Sequence, residues 1–162
     1  MKPVLDPIDR VSEVIFGVLM AMTFIGAMNV ATAGREEVRT VMLAALGCNV
    51  AWGLTDGVMY LVALVTERTR ERTKPRLTGR DFVGALGIFL LVTISTFPLV
   101  VPFLLMHELA PALLASRLVA VALLFLCGWQ LARHAGGNRW LAGIALAAIG
   151  AALLAALVAL GG

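Results

Sequence analysis

Five apolar runs, each close to the length that crosses a bilayer and separated by short polar connectors, constrain this chain more than any other feature. They cover about residues 11–32, 41–65, 82–105, 112–131 and 140–160. At ~1.5 Å per helical residue, runs of about 20 residues match a hydrocarbon core of ~30 Å. Only closed barrels and helices satisfy every backbone group in lipid, and runs this long read as helices. The chain is 60% hydrophobic and 14% charged, against about 25% charged in soluble domains. The expectation is an all-α, polytopic membrane protein of five transmembrane helices in a single domain, residues 1–162.

The charges sit between the runs. With the N-terminus in the cytoplasm, the cytoplasmic segments carry ten basic residues: Lys2, Arg10, Arg68, Arg70, Arg72, Lys74, Arg76, Arg80, Arg133 and Arg139. Only Arg35 and Arg39 fall outside. The positive-inside rule then places the N-terminus in the cytoplasm and the C-terminus outside, in the cell's inner membrane. The net charge of +3 is therefore a topology signal and not a footprint for nucleic acid. Cys48 and Cys127 lie within spans, lack Cys-x-x-Cys spacing, and imply neither a zinc site nor a disulfide framework. The first run exceeds the 7 to 15 apolar residues of a secretion signal, so it reads as a span despite its Ala31-Thr-Ala33.

Within the second run, Asn49, Asp56 and Met59 are the residues to explain. An ionised carboxylate in mid-membrane is costly and normally meets a wet path, a cation or a partner charge. Asn49, Asp56 and Met59 follow at steps of seven and three residues and share one helical stripe, with Met42 seven residues further up. An amide oxygen, a carboxylate and a thioether on one face are a donor set for a divalent transition metal. The competing reading is that Asp56 and Asn49 hydrogen-bond a neighbouring helix while Met59 fills a gap. In the first run, Glu13, Gly17 and Met20 form a similar face. Asp56 lies roughly 14 Å from the inner end of its helix and Met20 at a similar depth, so Met20, Asp56 and Met59 are expected to converge with Glu13 nearer the mouth.

The remaining segments are less informative. Glu36 and Glu37 suit the first turn of the second helix, where they complement its dipole. Residues 67–80 form a basic connector positioned to meet anionic lipid heads. Pro98 and Pro102 are expected to break the third span, with Thr93, Ser95 and Thr96 satisfying freed carbonyls. His107-Glu108 occupies a short outer turn, Pro111 suits the first position of the fourth helix, and the sequence assigns no role to His107 or Arg117. Gly143, Ala147 and Gly150 give the last span a small-residue face for close packing.

Several stretches together resemble the vacuolar iron transporter family of divalent metal carriers. They are Ser12-Glu-Val-Ile-Phe-Gly17, Asp56-Gly-Val-Met-Tyr-Leu61, the run Gly84 to Phe103, Leu124-Phe-Leu-Cys-Gly128 with Arg133-His-Ala-Gly136, and Ala159-Leu-Gly-Gly162. The resemblance implies a homodimer whose first helices line a path, exchanging Fe(II) or Mn(II) for protons through membrane-embedded carboxylates and methionines. Two departures stand out. The acidic cytoplasmic domain of such proteins is replaced by the basic connector, and the deeper of two acids in the first span corresponds to Met20.

The expected function is transmembrane carriage of Fe(II) or Mn(II), possibly coupled to protons, with Glu13, Met20, Asn49, Asp56 and Met59 as metal ligands. No permanently bound cofactor is expected, and the partners are membrane lipid, the cation, protons and a second copy. The alternative is a non-transporting protein on the same scaffold that docks a partner or anionic lipid through its basic connector. An enzyme is not expected, since no nucleophile with base, paired catalytic acids or phosphate loop appears.

Overall fold

A computed structural model describes residues 4–26, 35–71 and 76–160. The ends of the first run (27–32), the start of the following connection, Lys2, Arg72, Lys74, Pro75 and the closing 161–162 lie outside the described residues. The described chain is helical throughout, with no strand: α1 Pro7–Gly26, α2 Arg35–Arg70, α3 Gly79–Ile94, α4 Phe97–Leu105, α5 Leu109–Ala135 and α6 Arg139–Ala159.

Four helical stretches are long and apolar enough to cross a membrane: Val38–Arg70, Gly79–Leu105, Leu109–Ala135 and Arg139–Ala159. The chain is thus a multi-pass membrane protein. Five spans were expected, and α1 is the difference. Its described 20 residues carry Asp9, Arg10 and Glu13, which keep them below that mark.

The expected break in the third run falls between α3 and α4, at Pro98; Pro102, expected to break the run as well, lies inside α4, and Thr93 Oγ1, expected to satisfy a freed carbonyl, has no hydrogen-bond partner among the described residues. Pro98 has no N–H to continue the ladder, and the Thr96 N–H turns back to Thr93 O at 3.3 Å. Val92 O, the acceptor Thr96 would use in a regular helix, is taken instead by Ser95 Oγ at 2.7 Å. Pro111 falls in the first turn of α5 but not at its first residue, which is Leu109. It is tolerated there because N–H groups of a first turn have no helical partner. Gly136, with φ of 80°, closes α5 in the left-handed region, and Asn138 Oδ1 then caps α6 by accepting from Trp140 N and Leu141 N at 3.1 and 3.2 Å.

The core is built around α1, which touches all five other helices. Val18, Ala21, Met22 and Ile25 of α1 pack with Met42, Leu99, Val100, Leu113, Ala120 and Leu124. Glycines set the closest helix approaches. A Cβ on Gly53 or Gly57 of α2 would lie 2.9 Å from the carbonyl oxygens of Phe89 and Ala85 in α3. Gly128 of α5 and Gly143 of α6 meet in the same way, the first 2.5 Å from Ala142 O and the second 2.8 Å from the Phe125 ring. Of the small face expected on α6, Gly143 and Gly150 are buried and Ala147 is partly so. Large apolar side chains cover much of the outer surface, including Leu54, Val58, Phe82, Leu104 and Leu141, as suits contact with lipid.

Candidate site at the junction of α1, α2 and α3

Asn49 sits where three helices meet and is fully buried. Its Nδ2 donates to Gly17 O of α1 at 2.9 Å, to Val92 O of α3 at 3.4 Å, and to Thr96 Oγ1 at the break. The two carbonyl acceptors fix which end of the amide is nitrogen. Gly17 makes this meeting possible, because a Cβ there would lie 2.6 Å from Val92 O and collide with Ser95 Oγ. The Asn49 amide nitrogen is therefore a structural clamp, and only Oδ1, buried and without a partner, is left for a ligand.

Two turns toward the C-terminal end of α2 the character changes. Glu13 of α1 and Asp56 of α2 are both half-buried acids on helices that pack against each other. Asp9, one turn before Glu13 on α1, is exposed. The Oδ2 of Asp56 is buried and has no hydrogen-bond partner among the described residues. Among the described residues neither Glu13 nor Asp56 has a basic side chain in contact.

The methionines divide. Met20 is half-buried on α1, while Met59 is 57% exposed and so points outward from the bundle. The shared stripe of Asn49, Asp56 and Met59 is wide enough for its two ends to face different surroundings. Met42 belongs to the core between α1 and α4. Among the described residues no three His, Cys, Asp or Glu side chains gather as a metal-binding group.

Elsewhere, Arg68 near the end of α2 holds Asp81 at the start of α3 through two parallel bonds of 2.8 and 2.9 Å. Asp81 also accepts from Thr78 N and Oγ1 at 2.7 and 2.9 Å, completing a capping box. Asp81 lies in the first turn of α3, just before the apolar stretch that begins at Phe82. His107 and Glu108 are exposed and, with Arg39, edge an otherwise largely apolar cavity of about 610 Å³ between α2, α4 and α5. Arg117 is half-buried with its Nε unpartnered. Cys48 is half-buried and Cys127 buried, and both are free.

No protein-family model, curated protein or solved structure matches this chain.

Proposed function

We propose that the chain is a carrier for a divalent transition metal, Fe(II) or Mn(II), across a cell's inner membrane. One observation supports this above the others: Glu13 and Asp56 are half-buried acids on adjoining helices of an apolar bundle, Asp56 Oδ2 has no hydrogen-bond partner, and neither acid makes a salt bridge among the described residues. Two carboxylates in such surroundings call for a cation or a proton. Protonating either acid loosens the metal, which gives a proton gradient a means of driving release.

In this reading Glu13 and Asp56 are the oxygen ligands. Two carboxylates are a sparse donor set, so a second copy supplies further ligands in a homodimer, and the outward Met59 is a thioether available to it. Met20 lines the path on α1, and Asn49 contributes at most its free Oδ1. The five-span topology with the N-terminus in the cytoplasm follows from charge placement, with α1 as the polar, path-lining span. Resemblance to the vacuolar iron transporter family supports the same assignment.

The test is uptake of Fe(II) or Mn(II) into proteoliposomes under a pH gradient. Asp56→Asn and Glu13→Gln are expected to abolish it. Flux unchanged in both variants, or absent from the wild type, overturns the proposal.

The second reading is a non-transporting protein that meets anionic lipid through its basic connector. The exposure of Arg70, Arg76 and Arg80 at one end of the α2–α3 hairpin favours it. It predicts lipid binding that weakens with salt and with charge reversal at Arg70 and Arg76.

A further inference from the structure

Among the described residues, three buried side-chain oxygens lack any hydrogen-bond partner: Asn49 Oδ1, Asp56 Oδ2 and Thr93 Oγ1. They belong to one seam. Thr93 of α3 approaches α2 at Gly53, where its Oγ1 lies 3.3 Å from the position a Cβ would take. Gly53 is one turn from Asn49 and three residues from Asp56, so Thr93 enters between them. The seam then runs about 10 Å along α2, from Asp56 to the clamp beneath the α3–α4 break.

Their chemistry says what is missing. A carboxylate oxygen and an amide oxygen are acceptors, and the hydroxyl of Thr93 can donate to only one of them at a time. No hydrogen bond joins the three directly. Leaving each unpaired in a membrane interior is strongly unfavourable, and natural proteins meet such deficits with buried water. Three side-chain oxygens are too few to strip and hold a hard cation, which takes six or more. Water, with two donors and two acceptor sites, fits the deficit.

We propose that the α2–α3 seam binds ordered water, which links Asn49 Oδ1 to Thr93 Oγ1 and continues to Asp56 Oδ2. The inference does not depend on metal transport. It makes the interior wet from Asp56 to the helix break.

The experiment is solid-state NMR of the full chain in lipid bilayers, reading proton polarisation transferred from water to individual side chains. The Asn49 amide and Thr93 are expected to receive it at least about twice as fast as the core residue Leu124, as groups touching bound water do. In Thr93→Val the transfer to Asn49 falls to the Leu124 rate, and Thr93→Ser restores it. Transfer to Asn49 in the wild type as slow as to Leu124 overturns the proposal. So does a folded Thr93→Val protein in which Asn49 receives water as before. If Thr93→Val does not fold, the wild-type and Thr93→Ser measurements decide. Because the readout is hydration, failure of metal uptake leaves this result standing and its own failure leaves the carrier reading intact.

Discussion

Asn49 Nδ2 donates to Gly17 O across 2.9 Å, so the polar side chain of α2 docks on an α1 residue that has no side chain of its own. The same nitrogen reaches Val92 O and Thr96 Oγ1, so α1, α2 and the α3–α4 break share one amide. Replacing Asn49 by alanine frees a polar pocket and leaves buried acceptors without their donor. Interhelical hydrogen bonds in membranes are individually modest, but three acceptors are involved, and a loss of about 2 kcal/mol is expected. Thermal unfolding of Asn49→Ala in mild detergent reads it. An unchanged midpoint would show that the clamp holds nothing together.

The glycines of α2 give a contrast within one helix. Gly53→Ala and Gly57→Ala each drive a methyl group to 2.9 Å from a carbonyl oxygen of α3, and backbone cannot swing aside. The expected cost is about 1–3 kcal/mol for each, as for other overpacked cores. Gly47, in the same helix, has nothing within 4 Å of its Cβ position. Gly47→Ala is therefore expected to stabilise the protein by up to about 1 kcal/mol through helix propensity alone. The three variants measured side by side in chemical unfolding separate packing from propensity. Equal effects at all three positions would refute the close approach of α2 to α3.

The Arg68–Asp81 pair ties the two ends of the basic connector, and Arg68 Nη1 also donates to Arg76 O at 2.6 Å. Asp81→Asn keeps the shape but removes the charge that holds the guanidinium, and it weakens the capping box of α3. The chain between α2 and α3 then opens more readily. Faster tryptic cleavage after Arg70 and Arg76 is the expected outcome, with Arg68→Gln giving the same pattern. Cleavage at the wild-type rate in both would show that the pair does not restrain the connector.

Much of this architecture was legible in the sequence, and what escaped has a common cause. Apolar runs fixed where α2, α3, α5 and α6 lie, Pro98 marked the break, and Asn49 and Asp56 stood out because polar atoms in lipid need partners. The inward face of each helix did not stand out, since lipid is as apolar as a core and no amphipathic stripe separates them. Met59 illustrates this: it shares a stripe with Asp56 yet is 57% exposed. Gly53 and Gly57 carry the packing signal that was missed, a small-xxx-small spacing hidden beside Asp56. The Arg68–Asp81 bond was hidden for another reason, as thirteen residues separate its partners and only the folded hairpin joins them.

The role proposed for Glu13 and Asp56 is measurable without transport. Glu13→Gln removes a half-buried carboxylate that makes no salt bridge among the described residues, so in metal-free detergent its unfolding midpoint is expected to rise above the wild type. Added Mn(II) should reverse the order. A ligand present at about 100 times its dissociation constant stabilises the state it binds by roughly 2.7 kcal/mol. The wild type is expected to gain on that scale, whereas Glu13→Gln and Asp56→Asn, each left with one carboxylate, gain far less. Mg(II) at the same concentration should do little if thioethers from Met20 or a second copy's Met59 complete the site, because soft sulfur disfavours that ion. Identical gains with Mn(II) in all three proteins would place any bound metal elsewhere and leave the two acids without the function proposed for them.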